Sequence, residues 1–211
     1  MKVLNLYAGI GGNRSLWGGE VEVTAVELDV DIARVYQERF PQDKIIVGDA
    51  HQYLLEHFAE FDFVWSSPPC PSHSRIRNEA GVGCGQNEVI YAEMSLYQEI
   101  ILLMHFFKGL WVVENVISYY DPLIKPQVFR EHYYWANFII DGKKHANRGH
   151  MVGIKELTKL KGVSLDLLKG LDKLKVLRNC VEPEAGKFVF DCAFKEQQKT
   201  LNEAELLRGT K

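Results

Sequence analysis

A cysteine framed by prolines is the residue whose type and setting most favour chemistry in this sequence. Cys70 follows Pro68 and Pro69 and precedes Pro71, and prolines hold the backbone extended while removing hydrogen-bond donors. The apolar residues 61–65 upstream predict a short strand. We therefore expect Cys70 on a stiff loop just past the carboxyl edge of a sheet, where open α/β sheets bind ligands. The competing interpretation is a cysteine that packs as a small buried hydrophobe.

The loop after this cysteine is basic and contains three glycines between residues 81 and 85. A loop of this composition is suited to closing over a polyanion. Its candidate nucleic-acid contacts are Ser72, Ser74, Arg75 and Arg77.

Three consecutive predicted strands end in groups that suit an adenosine-like ligand. The strand at residues 2–7 runs into a glycine-rich turn, which lets a ligand approach the backbone closely. The strand at residues 20–28 ends with Glu27, and Asp49 follows the strand at residues 44–47. Neither the GxGxxG pattern nor a Walker lysine is present, so dinucleotide and ATP binding are weakly supported. The alternatives are a plain tight connection for the turn and a solvated carboxylate for Glu27.

A further acidic residue, Glu114, follows the buried strand predicted at residues 110–113. A carboxylate near an apolar strand end can have a raised pKa and donate a proton. An N-cap or an ordinary surface glutamate is the alternative. Helical periodicity at residues 52–59 and 88–107, a capped helix ending at Phe40 and a last helix starting at Pro183 complete an α/β pattern.

Composition limits the classes of protein that this chain can belong to. It has 211 residues, 46% of them hydrophobic, with a formal net charge of −3, which favours one main domain with a small appendage. The four cysteines show no CxxC spacing. We therefore expect no zinc site, no disulfide frame and a reduced, cytoplasmic compartment, and we expect no membrane span.

Taken together, the motifs resemble those of DNA cytosine-C5 methyltransferases and occur in the order that this family shows. The matching segments are Asn5-Leu6-Tyr7-Ala8-Gly9-Ile10-Gly11-Gly12, Glu27, Gly48-Asp49-Ala50, Ser67-Pro68-Pro69-Cys70 and Val113-Glu114-Asn115-Val116. Arg130-Glu131-His132 resembles the family's arginine-x-arginine element, and Arg178-Asn179-Cys180-Val181-Glu182-Pro183 resembles its terminal Asn-x-Val-x-Pro motif.

The resemblance implies a Rossmann-like S-adenosylmethionine-dependent methyltransferase fold, with a mostly parallel sheet and helices on both faces. S-adenosylmethionine is the implied cofactor, and S-adenosylhomocysteine is its product. Glu27 would hold the ribose hydroxyls, Leu28 would pack on adenine, and Asp49 would accept from the adenine amine. The implied cofactor-binding residues are Tyr7, Ala8, Gly9, Ile10, Gly11, Gly12, Glu27, Leu28, Asp49, Ala50, Pro69, Asn179 and Val181.

The same resemblance implies methylation of cytosine C5 in double-stranded DNA, with the target base flipped out of the duplex. Cys70 would be the nucleophile that adds to C6. Glu114 would bond the ring nitrogen and the exocyclic amine, and Arg130 would orient the base or Glu114. The implied catalytic residues are Cys70, Glu114, Arg130 and His132, without a metal.

The chain departs from the family pattern most clearly in length. We expect a catalytic and cofactor-binding domain at residues 1–140, a short basic recognition segment at 141–177 and a returning C-terminal motif at 178–211. The middle segment is too short for an ordinary recognition domain. Its lysines suggest phosphate contacts, while a solvated helix face is the alternative. The candidate contacts there are Lys143, Lys144 and Arg148.

The minimal form resembles small phage-encoded or prophage-encoded members, which would place the chain in the cytoplasm of a bacterial, archaeal or phage-infected cell. Methylation of cytosine in RNA remains an alternative, as does a DNA-binding pseudoenzyme that relies on another chain for recognition. A restriction or accessory partner is compatible with either interpretation. The sequence leaves the oligomeric state and the recognised DNA motif open.

Overall fold

Five short apolar strands form the parallel part of a single sheet in the computed structural model. The model describes residues 1–18, 20–75, 77–82, 88–142 and 153–195. The parallel strands lie in the order β3-β2-β1-β4-β5, so the chain reverses direction across the sheet between β1 and β4. They are β1 (Lys2–Leu6), β2 (Glu22–Glu27), β3 (Lys44–Val47), β4 (Phe63–Ser66) and β5 (Leu110–Val116).

An antiparallel hairpin that the sequence patterns did not predict completes the seven-stranded sheet. It consists of β6 (Gln127–Phe129) and β7 (His132–Ala136), and β7 pairs with β5. Arg130, in the two-residue turn between them, has a φ of 53°, a conformation that hairpin turns usually reserve for glycine or asparagine. The resulting order is β3-β2-β1-β4-β5-β7-β6.

Helices cover both faces of the sheet. On one face α2 and α3 pack against residues such as Leu4 and Val64. On the other, α6 packs against Val3 and Val112, together with Trp17, which follows a 3₁₀ turn at Asn13–Leu16. The predicted α/β class with a mostly parallel sheet is therefore confirmed. The helices are α1 (Val30–Arg39), α2 (Ala50–His57), α3 (Ser95–Phe106), α4 (Ile154–Lys161), α5 (Lys173–Asn179) and α6 (Pro183–Cys192).

Two element boundaries differ from the expectations in ways that concern the site. The helix expected from residue 88 begins at Ser95, because the backbone N–H of Glu93 donates to Ser72 Oγ at 3.0 Å and holds this approach against the Cys70 loop. Strand β5 continues through Glu114 to Val116. It does so because pairing with β7 extends to Val116 and His132, beyond the end of β4.

The C-terminal helices return to the beginning of the chain. Pro183 occupies the first turn of α6, as predicted. The α6 residue Gly186 has no room for a Cβ, which would lie 2.5 Å from the Cα of Asn13. Trp17 stacks on Phe190 with ring centroids 4.7 Å apart. Among the described residues, no helix is long and apolar enough to cross a membrane.

Candidate active site

The turn after β1 has an unusual backbone that presents open space at its centre. Tyr7, Gly9 and Gly11 have φ values of 54°, 54° and 74°. A Cβ built on Gly9 would meet no atom within 4 Å. A Cβ on Gly12 would lie 2.1 Å from the carbonyl oxygen of Val181. Gly9 therefore faces a possible ligand, whereas Gly12 lets the C-terminal motif pack directly beneath the turn.

The carboxylate of Glu27 is fixed by this turn. It accepts from the backbone N–H of Gly9 at 2.9 Å and from that of Asp29 at 3.0 Å, one bond to each oxygen. A carboxylate oxygen can accept more than one hydrogen bond. Glu27 therefore keeps acceptor capacity for a diol. Ala8 and Ile10 are buried and contribute backbone rather than side chains to this surface.

The ends of β2 and β3 offer an apolar platform beside an acceptor. Leu28 is 73% exposed, which is unusual for a leucine next to a buried strand. Asp49 caps α2 through Oδ1, which accepts from the backbone N–H groups of His51 and Gln52 at 2.8 and 3.2 Å. These bonds use one carboxylate oxygen of an exposed residue, so Oδ2 can face a ligand amine. Ala50 is buried and supports the cap.

The Cys70 loop is tied to the strand that carries Glu114. Register pairs Ser66 with Val113 on adjacent parallel strands. Asn115 Nδ2 donates to the carbonyl oxygen of Pro68 at 3.0 Å. Two residues that are 44 positions apart, Cys70 and Glu114, are thereby held at the same sheet edge. Pro69 is exposed beside Cys70, where it can form a pocket wall.

The thiol of Cys70 is partly buried. Burial raises its pKa, and the negative charge of Glu114 raises it further. A raised pKa means that the resting group at neutral pH is the thiol. Proton loss must therefore accompany any nucleophilic attack by this residue.

Glu114 faces His132 across the β5–β7 pair. Glu114 is 7% exposed and lies opposite Tyr134. His132 lies two residues before Tyr134 on the same face of β7. Its Nε2 is 3.4 Å from Glu114 Oε1. Within the described residues this is the one polar side-chain contact of Glu114. Its carboxylate therefore keeps most of its hydrogen-bonding capacity for a substrate.

Arg130 points to a different partner from the one that the motif suggests. Its guanidinium pairs with Glu182, the residue that precedes α6, and lies 3.9 Å from Glu184. Its buried Nε has no hydrogen-bond partner among the described residues. The structure thus places His132, rather than Arg130, in contact with Glu114. Arg130 links the β6–β7 turn to the C-terminal motif.

One lysine of the basic segment 141–177, Lys161 at the end of α4, is buried rather than exposed to solvent. Lys161 is 7% exposed, whereas Lys155, Lys159, Lys169 and Lys175 are exposed. Burial lowers the pKa of Lys161, opposed by the fields of Cys180, Glu182 and Glu114. Asn179 is exposed at the end of α5, and Val181 lies against Gly12. Lys143, Lys144 and Arg148 lie outside the described residues.

The loop residues expected to contact nucleic acid follow Cys70 in the sequence and differ in their environments. Ser72 accepts from Glu93 N–H, and Ser74 accepts from Arg77 N–H at 3.3 Å. Arg75 is exposed, with its Nε 3.8 Å from Glu79. The segment Arg77–Val82 forms a π-helical turn.

In the described part of the chain, no group of three or more His, Cys, Asp or Glu side chains could hold a metal.

Sequence reasoning missed a buried carboxylate behind this edge. Glu99 of α3 is 1% exposed and accepts from the hydroxyls of Tyr7 and Ser66, both at 2.6 Å. Its position gave a usable signal, because it lies on the same face as the buried residues Leu96 and Leu103. A charged residue within an apolar helical stripe needs internal partners.

Comparisons with known proteins agree with this description. A family model described as C-5 cytosine-specific DNA methylase matches residues 1–118, more than half of the chain. A search of curated proteins found no match.

Solved structures show a more distant similarity. A DNMT2 variant from Spodoptera frugiperda is 21% identical, covering 64% of this chain and 49% of its own, with a TM-score of 0.44. A hypothetical protein of Thermus thermophilus is 19% identical, covering 64% of this chain and 73% of its own (TM-score 0.43). A SAM-dependent methyltransferase from Agrobacterium tumefaciens is 18% identical, covering 57% and 40% (TM-score 0.43).

The cofactor of the matched family, S-adenosylmethionine, fits the residues that the structure places at the edge of β1 to β3. The open space over Gly9 can receive its tail. The spare acceptor capacity of Glu27 and Asp49 and the exposed Leu28 suit a ribose diol and an uncharged base. The chain therefore belongs to the family of C-5 cytosine-specific DNA methylases, and S-adenosylmethionine is its cofactor.

Proposed function

We propose that this protein transfers a methyl group from S-adenosylmethionine to C5 of cytosine in double-stranded DNA, through a covalent bond between Cys70 Sγ and C6. The observation that carries the proposal is the shared position of Cys70 and Glu114. The bond from Asn115 to Pro68 ties their two segments together, and the charge of Glu114 acts on the Cys70 thiol.

The residue types fit the chemistry that cytosine requires. C5 of cytosine is a poor nucleophile in the aromatic ring. When the Cys70 thiolate adds to C6, the ring electrons move to C5, which can then bond to a methyl group. Loss of the C5 proton to a base or water re-forms the C5–C6 double bond and expels the cysteine. Cys70 is therefore regenerated at the end of each turnover.

Glu114 can stabilise the intermediate in this proposal. Its carboxyl group would bond the ring nitrogen N3 and the exocyclic amine, where negative charge develops as the thiolate adds. Within the described ranges, His132 is the one polar side chain in contact with Glu114, which supports this role. His132 would orient the carboxylate from 3.4 Å away. Arg130, held by Glu182, would orient the base.

The cofactor-binding residues of this chain have distinct tasks in the proposal. The bound cofactor supplies the methyl group on a positively charged sulfur. Glu27 would accept from the ribose hydroxyls, Leu28 would pack on adenine, and Asp49 would accept from the adenine amine. Tyr7 and the backbone from Ala8 to Gly12 would line the tail. Pro69, Asn179 and Val181 would close the pocket.

Access to the reacting carbon requires that the target cytosine leave the duplex. Ser72, Ser74, Arg75 and Arg77 follow Cys70 on the same loop and would contact the DNA backbone. The exposed lysines of α4 and α5, together with Lys143, Lys144 and Arg148, would add phosphate contacts. The proposal includes a restriction enzyme or accessory chain that would help the short recognition segment to bind its DNA target.

Incubation of the protein with tritiated S-adenosylmethionine and either DNA or transfer RNA tests the proposal. We expect label in DNA, released as 5-methylcytosine, and a stable adduct on DNA that contains 5-fluorocytosine. The Cys70→Ala variant should form no adduct. Cys84→Ser, at another cysteine without an assigned role, is the matched control and should form the adduct normally.

Two outcomes would redirect the proposal. Label in transfer RNA alone would make the protein an RNA cytosine methyltransferase. DNA binding without label or adduct would indicate a pseudoenzyme.

A second experiment addresses recognition: replacement of Lys155, Lys159, Lys169 and Lys175 by alanine should weaken DNA binding and reduce its salt dependence. An unchanged salt slope would remove these lysines from the interface.

A further inference from the structure

The buried carboxylate of Glu99 joins three segments that the sequence keeps far apart. Its Oε1 accepts from Tyr7 Oη at 2.6 Å and lies 2.9 Å from His51 Nδ1, while Oε2 accepts from Ser66 Oγ at 2.6 Å. Glu99 is itself 1% exposed. The partners precede it by 92, 48 and 33 residues. Each partner belongs to a different part of the site.

The three partners stand where the functional segments begin. Tyr7 has the left-handed backbone conformation that opens the glycine-rich turn. His51 lies in the first turn of α2, next to Asp49 and Ala50. Ser66 is the last residue of β4, immediately before the loop that carries Cys70. Both ends of the proposed cofactor site and the base of the catalytic loop thus meet at one side chain.

The chemistry of the cluster makes these contacts strong. A buried carboxylate must be satisfied by internal donors, and bonds to a charged acceptor are short and strong. Burial, followed by the charge of Glu99, raises the pKa of Tyr7, so its hydroxyl stays a donor. The hydrogen bond to Glu99 raises the pKa of His51. Asp49 and Glu93 are the other charged groups whose fields act on this cluster.

We infer that Glu99 is a positioning residue that fixes the cofactor pocket and the Cys70 loop relative to each other. Its carboxylate faces Tyr7, His51 and Ser66 rather than the proposed substrate pocket, so it acts through them. Tyr7 holds the turn, His51 holds the first turn of α2, and Ser66 holds the end of β4. The inference rests on the proposed function, because it assigns these segments to cofactor and cytosine.

The test removes the two hydroxyl contacts separately and then the charge of Glu99. Tyr7→Phe and Ser66→Ala delete one hydroxyl each, and Glu99→Gln removes the charge while keeping the shape of the side chain. His57→Gln is the matched control, since His57 pairs with Glu60 at 2.7 Å near the exposed end of α2. The measurements are the Kd of S-adenosylhomocysteine by calorimetry and the rate of Cys70 adduct formation on 5-fluorocytosine DNA at saturating S-adenosylmethionine.

The inference predicts that the two readouts separate. Tyr7→Phe should raise the Kd of S-adenosylhomocysteine about tenfold, the loss expected for a charge-assisted hydrogen bond, and should change this Kd more than the adduct rate. Ser66→Ala should slow adduct formation by about the same factor and leave the Kd within about twofold. Glu99→Gln should change both, and His57→Gln should change neither.

A different pattern overturns the inference. If Glu99→Gln lowers only the melting temperature, with normal Kd and adduct rate, Glu99 is a structural residue. If Tyr7→Phe and Ser66→Ala change the same readout, the segments are not positioned separately. Should Glu99→Gln fail to fold, the two hydroxyl variants decide the question. Absence of the adduct in the unaltered protein would count against the proposed function, while the Kd values would still test the cofactor half.

Discussion

Two buried carboxylates approach the carboxyl edge of the sheet from opposite faces. Glu99 comes from α3 on one face, and Glu114 comes from β5 toward the α6 face. Among the residues that the structure describes, the first contacts three side chains within 2.9 Å, whereas the second has one contact at 3.4 Å. The difference shows that a carboxylate whose hydrogen-bond acceptor positions are filled holds protein segments in place. A carboxylate with unfilled acceptor positions can instead bind a substrate. The Nε of Arg130, which has no hydrogen-bond partner in the described part of the chain, fits the same division, since Arg130 pairs with Glu182 just before α6.

The largest expected effect is that of Glu114→Gln on catalysis. Its rate of methyl transfer should fall by about 10²- to 10³-fold, as when a preorganised group is removed from a developing charge. Its melting temperature should stay within about 2 °C of the unaltered protein, because few internal contacts are lost. Kinetics with tritiated cofactor and thermal unfolding measure the two quantities. A large loss of stability would show that Glu114 resembles Glu99 after all.

Glu99→Ala, unlike Glu114→Gln, should clearly lower the stability of the protein. It leaves the Tyr7 and Ser66 hydroxyls buried without their acceptor, so we expect the free energy of unfolding to fall by about 3 kcal/mol. Urea unfolding followed by circular dichroism measures this change. Leu55→Ala, at an exposed position of α2, provides a control for generic truncation. Equal losses in the two variants would contradict the special role of the Glu99 cluster.

Gly12→Ala tests how closely the cofactor turn and the C-terminal motif are packed. The added methyl group would lie 2.1 Å from Val181 O and 2.4 Å from Cys180 Sγ. Overpacking of this kind costs about 2 kcal/mol. Chemical unfolding should report the loss, and S-adenosylhomocysteine binding should weaken with it. Gly153→Ala, where a Cβ meets no neighbour within 4 Å, should be close to neutral. The contact between the two segments would be disproved by equal behaviour of the two variants.

The Cys70 thiol gives a prediction about how the rate of adduct formation depends on pH. Because burial and Glu114 raise its pKa, the thiolate fraction keeps increasing above the usual cysteine value of about 8.5. The rate of adduct formation should therefore rise by about tenfold per pH unit below the raised pKa. Measurement of the rate between neutral pH and the onset of alkaline unfolding checks this. A plateau below the usual value would mean that another group activates the thiol.

His51 gives the smallest expected effect. Its pKa is raised in the folded state, chiefly by the hydrogen bond to Glu99, so its stabilising contribution is complete below the unfolded value. That contribution is lost as pH rises through the raised value. Since His51 is partly exposed and screened, its loss should lower the melting temperature by only about 2 °C. His51→Gln should remove this pH dependence, and His57→Gln should retain it.

The sequence predicted best those features that depend on local chemistry. Glycines in the turn, prolines around Cys70 and Asp49 before a helix act on their own neighbours, and the structure places them at the expected edge. The Glu99 cluster could not be predicted in this way, because Tyr7 lies 92 residues away. The partner of Arg130 was missed for the same reason, since Glu182 is 52 residues distant. Long-range pairing depends on topology, which periodicity alone does not specify.

The β6–β7 hairpin illustrates a second limit. Its turn residue Arg130 has a positive φ without being glycine, so the usual turn signature is missing. The conformation is compensated by the Glu182 ion pair and by the Phe129 ring, whose centroid lies 5.5 Å from the guanidinium carbon. Such compensation appears only once the C-terminal motif has returned to the sheet.

The position of α6 affects whether a longer recognition segment can be inserted into this fold. Gly142, where the chain leaves the sheet, has Phe188 of α6 against it, and Gly186 of the same helix rests on Asn13. The chain before the recognition segment and the chain that follows it therefore both pack at α6. The entropic penalty of a longer excursion grows only with the logarithm of its length. A new specificity module grafted between residues 142 and 153 could thus be inherited or engineered without rebuilding the machinery that does the chemistry.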